Sequence, residues 1–302
     1  MQGKVVVVGS LNMDLIVRAP RLPRGGETLT GHDFSTAAGG KGANQAVAAA
    51  RLGAQVAMIG CVGADAYGAR LRTGLITEGI DCSAVSEIDG VPTGIASILV
   101  DDAGQNAIVI VAGGNGALTP QHLSAQAQLL ADAQVLIVQL EVPDATVEAA
   151  MKLGREAGCT VILNPAPVAG PLPAHWYGMA DYLIPNESEA AALTGLPVGS
   201  PQSALPAARS LLQAGARRVL ITLGAQGVLY ADAERHAHFA VAPVAAVDTT
   251  AAGDTFVGGF AAALAAGQPL EAAIALGQQA AALAVTRPGA QPSIPYRHEL
   301  PA

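Results

Sequence analysis

The residues best suited to chemistry in this 302-residue chain lie in Asp248-Thr249-Thr250-Ala251-Ala252-Gly253-Asp254-Thr255-Phe256. Ala251, Ala252 and Gly253 carry almost no side chain, so a ligand can approach the backbone closely. Asp254 then opens an apolar run through Phe260 to Leu264 that reads as a helix. A helix start presents unpaired N–H groups and the positive end of a dipole. The segment is therefore a pocket for an anion, with a carboxylate at its mouth able to take a proton from a nucleophile. An Asp in the first turn also serves as a plain N-terminal cap, although a cap needs no bare loop before it.

A second cluster is Gly39-Gly40-Lys41-Gly42-Ala43-Asn44, leading into a helix from Ala43 to Leu52. Lys41 and Asn44 stand three apart and share one face of a helix start. The Gly-x4-Gly-Lys-Ser/Thr pattern of a P-loop is absent. A third is Asn12 and Asp14, just after the apolar run Val5 to Gly9. Two apart in extended chain, they lie on one side and could hold neighbouring hydroxyls; the same pair can also simply form a turn.

These clusters need a frame. Val56–Gly60, Val135–Gln139, Thr160–Leu163, Tyr182–Ile184 and Arg218–Thr222 read as strands. Helices are predicted over 145–157, 204–215 and from 65–68 to about Glu78. Apolar strands alternating with helices predict a parallel sheet covered on both faces, an α/β fold. In such sheets ligands bind at the carboxyl ends of the strands. Polar residues recur there: Asn12 and Asp14, Glu141, Asn164, Asn186 with Glu189, and Thr222. Asn186 and Glu189 are also spaced as a capping box. Thr222-Leu223-Gly224-Ala225-Gln226-Gly227 is a strand end with a glycine-rich turn, or an ordinary hairpin into Val228-Leu229-Tyr230.

Residues 15–36, with turns at Pro20, Pro23 and Gly25-Gly26, and a hairpin of Thr93–Val100 with Ala107–Val111 predict a second, smaller sheet. Ala96, Ile98 and Ile108 alternate so as to build one apolar face. A sheet of few strands needs a partner to bury that face. No linker or repeat interrupts the chain, which predicts one domain over 1–302, its small sheet drawn from about 12–36 and 93–112.

Composition narrows the function. The chain is 51% hydrophobic and 13% charged, so it can bury a large core. A net charge of −8 argues against nucleic-acid and anionic-membrane partners. Cys61, Cys82 and Cys159 show no metal-ligand spacing. No apolar stretch approaches the ~20 residues of a membrane span, and Val5–Val8 is too short for a signal-peptide core. These features predict a cytoplasmic protein. The turn Gly9-Ser10-Leu11-Asn12 after the first strand lacks Gly-x-Gly-x-x-Gly, which argues against a dinucleotide-binding dehydrogenase.

Two stretches more than 200 residues apart, Gly39–Asn44 and Asp248–Phe256, together resemble the two signatures of the ribokinase (PfkB-type carbohydrate kinase) family, and the resemblance runs from Val5 to Tyr296. It implies a three-layer α/β/α fold with a mostly parallel sheet and a small β lid. It also implies ATP-dependent phosphorylation of D-ribose at O5. Asp254 would be the catalytic base, with Gly253 and Ala252 in the anion hole. Asn12, Asp14, Gly40, Lys41, Asn44 and Glu141 would hold the sugar, with Ala96, Ile98 and Ile108 closing over it. The nucleotide would lie against Asn186, Thr222, Leu223, Gly224, Ala225, Gln226, Gly227, Gly253 and Gln278. Mg²⁺ would be positioned indirectly through Glu189. K⁺ would be held by Asp248 and Thr250 with Ala284, Arg287, Gly289 and Ser293, where Pro288 stiffens the loop. A homodimer through the lid is implied as well. The alternatives are kinases of the same family acting on deoxyribose, fructose, a keto-deoxy acid or a nucleoside, and a non-catalytic sugar-binding protein. Aromatic residues at only 3% offer little to stack a nucleobase.

Overall fold

The computed structural model describes residues 3–168 and 170–301. Its organising strand is β1 (Lys4–Val8), whose four valines are fully buried. Val6 and Val8 join one core cluster and Val5 and Val7 the other. That alternation is the strand period of two with apolar residues on both sides, so helices cover both faces.

The remaining strands are β2 (Asn12–Ala19), β3 (Asp33–Gly39), β4 (Gln55–Gly63), β5 (Asp81–Ile88), β6 (Gly94–Asp101) and β7 (Asn106–Val111). They are followed by β8 (Val135–Val138), β9 (Thr160–Leu163), β10 (Tyr182–Leu183), β11 (Arg218–Thr222), β12 (Val228–Asp232) and β13 (His236–Phe239). Nine form one sheet in the order β13-β12-β11-β10-β9-β8-β1-β4-β5. From β11 to β5 the pairs are parallel, while β11, β12 and β13 form antiparallel pairs at one edge. The glycine-rich stretch after Thr222 is thus a hairpin.

The helices Lys41–Arg51, Ala66–Thr77, Ala252–Ala265 and Leu270–Ala284 cover one face. Asp144–Glu156, Glu187–Thr194 and Pro201–Gln213 cover the other. Asp65 caps its helix by accepting from the Gly68 N–H. The helix expected from residue 204 begins at Pro201, because Ser200 accepts from the Ser203 N–H and Pro is tolerated at the first helical position. Lys41–Arg51 and Ala252–Ala265 touch backbone to backbone. A Cβ on Gly258 would lie 2.4 Å from the Ala48 Cβ and 2.7 Å from the Gln45 carbonyl.

The second sheet has the order β3-β2-β6-β7. Asp14 pairs in register with Ala96, which pairs with Ile110; Ile16, Ile98 and Ile108 form the next row on that face. Ala96 is buried and Ile98 half-buried, whereas Ile108 is exposed, so the expected apolar face exists but is uncovered at β7. Phe34 (61% exposed) and Val109 (65%) stand open on the same sheet. Cys61, Cys82 and Cys159 are buried free thiols. Among the described residues no helix is long and apolar enough to cross a membrane.

Candidate active site

The site forms where the helix Ala252–Ala265 begins. Its N-cap, Ala251, has φ 58, a left-handed conformation that a non-glycine residue rarely adopts. The Ala252 N–H donates to the Thr249 carbonyl at 3.2 Å, and the Thr255 N–H to Ala251 at 2.8 Å. Among the described residues the N–H groups of Gly253 and Asp254 have no acceptor. These two amides are free to take an anion, whereas the Ala252 N–H is already engaged. A Cβ on Gly253 would meet nothing within 4 Å, so open space lies directly over them.

Asp254 is only 7% exposed. Its Oδ2 accepts from Asn44 Nδ2 at 3.0 Å and its Oδ1 from Gln45 Nε2 at 2.9 Å. Burial pushes its pKa up, against the downward pull of Lys41, Asn44 and Gln45. A carboxylate so placed is a stronger base than one in water. Burial would lower the pKa of Lys41, but Asp254, Glu141 and Glu189 hold it above the ordinary value, so its ammonium keeps its proton.

The other expected sugar contacts converge here through the backbone. The Lys41 N–H donates to Glu141 Oε2 at 3.0 Å, and the Ser10 hydroxyl donates to the same oxygen. Gly40 has φ 91, and a Cβ there would strike the Asn12 nitrogen and the Ser10 carbonyl; only glycine permits this turn. Burial, with Glu141 and Asp254 nearby, raises the Asp14 pKa to about 7. Asn12 Oδ1 accepts from Asn115 Nδ2 at 2.7 Å, and Asn115 also binds both the N–H and the carbonyl of Leu11. Among the described residues Asn44 Oδ1 is buried without a partner. A buried orphan acceptor beside a base calls for a donor such as a hydroxyl.

Beside Asp254 opens a pocket of about 200 Å³, lined by Lys41, Asn164, Asn186, Glu189, Thr222 and Thr249 together with Ala252 and Gly253. Asn186 and Glu189 do form a reciprocal capping box: Asn186 Oδ1 accepts the Glu189 N–H and Glu189 Oε2 accepts the Asn186 N–H. They line the pocket nonetheless, so the two readings coexist. Thr222 reaches the pocket, while Leu223, Gly224, Ala225, Gln226, Gly227 and Gln278 lie off its lining. Gln226 Nε2 donates to Gly199 and Gln278 Nε2 to the Phe239 carbonyl. Among the described residues no three His, Cys, Asp or Glu side chains cluster as a metal site. Glu189 is the carboxylate facing the pocket besides Asp254, a set that fits Mg²⁺, which uses one or two carboxylates with phosphate and water.

Asp248 Oδ1 accepts from the Thr250 N–H (2.9 Å) and hydroxyl (2.6 Å), and Oδ2 from the Gly289 N–H (2.8 Å). These bonds lower its pKa despite burial, so it is ionised. The Ala284 carbonyl accepts from the Arg287 N–H, and the Ser293 hydroxyl donates to Ala290. Asp248 thus joins Thr250 and Gly289 directly, whereas the hydrogen bonds of Ala284, Arg287 and Ser293 run to other groups.

Residues 2–297 match the pattern of the pfkB family carbohydrate kinase. The chain belongs to this family. A ribokinase of Haemophilus influenzae is 42% identical over 299 residues, covering 99% of this chain and 97% of the relative. A deoxyribokinase of Salmonella typhi is 37% identical over 96% of this chain and 95% of its own length. An Arabidopsis thaliana ribokinase, solved in complex with ribose and ATP, superimposes with a TM-score of 0.92 at 35% identity, covering 99% of this chain and 97% of that one. The three-layer α/β/α fold with a small separate sheet is that of these carbohydrate kinases. Ser10, Gln45 and Asn115 bond directly to Glu141, Asp254 and Asn12 and were passed over by sequence reasoning. Gln45 follows Asn44 directly, and Asn115 sits in Gly113-Gly114-Asn115-Gly116.

Proposed function

We propose that the protein transfers the γ-phosphoryl group of ATP to O5 of D-ribose, giving ribose 5-phosphate and ADP. One observation carries this reading. A buried carboxylate, Asp254, stands at a helix N-terminus whose Gly253 and Asp254 amides are unclaimed. The proton of the ribose O5 hydroxyl passes to the Asp254 carboxylate. The oxygen attacks the γ-phosphorus in line, and the bond to the ADP oxygen breaks. The free amides and the Lys41 ammonium stabilise charge on the group in transfer. Asn12, Asp14, Gly40, Asn44 and Glu141 hold the sugar, and the small sheet lies over it as a lid, with Ala96, Ile98 and Ile108 on its inner face, to exclude water. The nucleotide runs along Asn186, Thr222 to Gly227 and Gln278.

Mg²⁺ would be held by phosphate oxygens and, through water, by Glu189, and when bound it supplies charge neutralisation. K⁺ would be held by Asp248, Thr250 and the carbonyl-rich stretch with Ala284, Arg287, Gly289 and Ser293. The chain acts as one domain, in the cytoplasm, as a homodimer joined through the uncovered lid faces.

The test is ADP release with Mg-ATP and K⁺ across ribose, 2-deoxyribose, fructose, a keto-deoxy acid and adenosine. A kcat/KM for ribose at least ~10-fold above the others, about 1.4 kcal/mol of transition-state preference, establishes the reading. The similarity to a deoxyribokinase makes 2-deoxyribose the competitor to beat. A deoxyribose preference would keep the mechanism and reassign the sugar contacts.

A further inference from the structure

Gln45 is fully buried and touches no open space, so it cannot reach a substrate. Both of its donors and its carbonyl oxygen are nevertheless engaged. Nε2 donates to Asp254 Oδ1 and to Asn164 Oδ1, both at 2.9 Å. Oε1 accepts from Gln139 Nε2 at 2.7 Å. The Asp254 carboxylate can only accept, and Asn164, whose Nδ2 is held by the Ile184 carbonyl, turns its Oδ1 to Gln45, so the Nε2 end of the Gln45 amide must face them. Asn164 is in turn held by its Nδ2 donating to the Ile184 carbonyl at 2.8 Å. Gln139 follows β8, Asn164 follows β9 and Ile184 follows β10, so the chain of amides refers one carboxylate oxygen to the ends of three neighbouring strands.

This arrangement is a poor choice for stability alone. Among the described residues Gln139 Oε1 is buried without a partner, and a partly satisfied buried polar network is worse than an apolar one. A Cβ on Gly9 would lie 2.0 Å from that oxygen, so the strand end is kept bare to admit it. The second clamp on the base, Asn44, keeps a free buried acceptor of its own. Asn44 can turn to a sugar hydroxyl, whereas Gln45 has no other partner to turn to.

We propose that Gln45, braced by Gln139 and Asn164, is a positioning residue for the phosphoryl transfer: it fixes the plane of the Asp254 carboxylate while Asn44 exchanges partners with the substrate. The inference rests on Asp254 being the base. The charged groups facing Asp254 are Lys41 from its own neighbouring helix, Glu141 after β8, Asp14 from β2 and Glu189 from the far helix. None of them is altered by a change at Gln45. Removing a hydrogen bond to the ionised form raises a carboxyl pKa. Transfer needs that form, so the acid limb of the kcat profile moves to higher pH.

The experiment compares Gln45→Met, Gln139→Met and Asp254→Asn with the wild type, measuring kcat against pH and ribose binding by calorimetry. For Q45M a kcat loss of about 10–100-fold is expected, the weight of a misplaced group. Ribose affinity should hold within about threefold, well under one hydrogen bond, and the acid limb should rise by about half a pH unit or more. Q139M, which touches neither base nor sugar, should shift the limb the same way by less. A Q45M rate within about twofold of wild type, or a loss with the limb unmoved, overturns the proposal. If Q45M does not fold, an unmoved limb in Q139M overturns it instead. If D254N keeps its acid limb and most of its rate, the failure lies with the base itself and not with Gln45.

Discussion

The floor of the site and the small sheet above it are built by opposite means. The floor is polar and buried: Asp254, Asn44, Gln45 and Asn164 are each less than a tenth exposed and joined by hydrogen bonds of 2.9 to 3.0 Å. The small sheet is apolar and open, and every residue of β7 is exposed. Hydrogen bonds have direction and hold a carboxylate at one angle. Apolar burial has no direction, so a sheet held by it can change partners, solvent for sugar or a second copy of the chain. The floor is thus held in one arrangement, whereas the sheet keeps an uncovered apolar face.

Four substitutions press on that contrast. Asp254→Asn strikes the floor hardest. It should lower kcat by ~10²–10⁴-fold, the weight of a general base, with ribose binding retained in calorimetry. A variant keeping over half the wild-type rate would break the assignment.

Asp14→Asn tests the boundary between the two regions. Ribose KM should rise roughly 10–100-fold, as expected for losing a hydrogen bond to a charged group. Stability should move the other way. The folded-state pKa of Asp14 is about 7 against an ordinary 3.8. Folded protein therefore keeps a proton that unfolded chain has lost, and stability falls as pH rises through that window. Asn removes the deficit, so the gain in Tm should be larger at pH 8 than at pH 5. An equal gain at both would contradict the raised pKa.

Gly253→Ala places a methyl in the open space over the two free amides. Stability should hold or rise by about 0.5–1 kcal/mol, because Gly is unfavourable within a helix. The rate should fall at least ~10-fold, about 1.4 kcal/mol in the barrier. Unchanged kinetics would mean that the transferred group does not sit there. Val109→Lys, on the open sheet, should do least to the fold, within about 0.5 kcal/mol for a surface change. It should convert a dimer to a monomer in sedimentation, and a wild type already monomeric would remove the proposed lid contact.

How far these regions can be read from residues alone follows from the same contrast. The polar residues at the strand ends were legible because each follows or closes an apolar run: Asn12 after Val5–Val8, Asn186 after Tyr182–Ile184, Thr222 within Arg218–Thr222. Asp254 was legible from the bare Ala-Ala-Gly before it. Gln45, Ser10 and Asn115 were not, because nothing local marks them: the partners of the Gln45 side chain lie 94 to 209 residues away, the carboxylate that Ser10 reaches lies 131 away, and Asn115 binds Leu11 at a separation of 104. The edge strands β5 and β13 escaped for another reason. Asp81-Cys82-Ser83-Ala84 and His236-Ala237-His238 carry polar residues that only an edge position tolerates.

The contact of Gly258 with Ala48 and the Gln45 carbonyl has a consequence for genetics. Asp254 and its partners Asn44 and Gln45 come from parts of the chain more than 200 residues apart, and bare backbone surfaces set the gap between them. A side chain at position 258 would act as a wedge, parting the two helices and drawing Asp254 away from Asn44 and Gln45. Inactivating alleles of this protein should therefore arise at a position that no substrate touches, among enzymes that still fold and still bind their sugar.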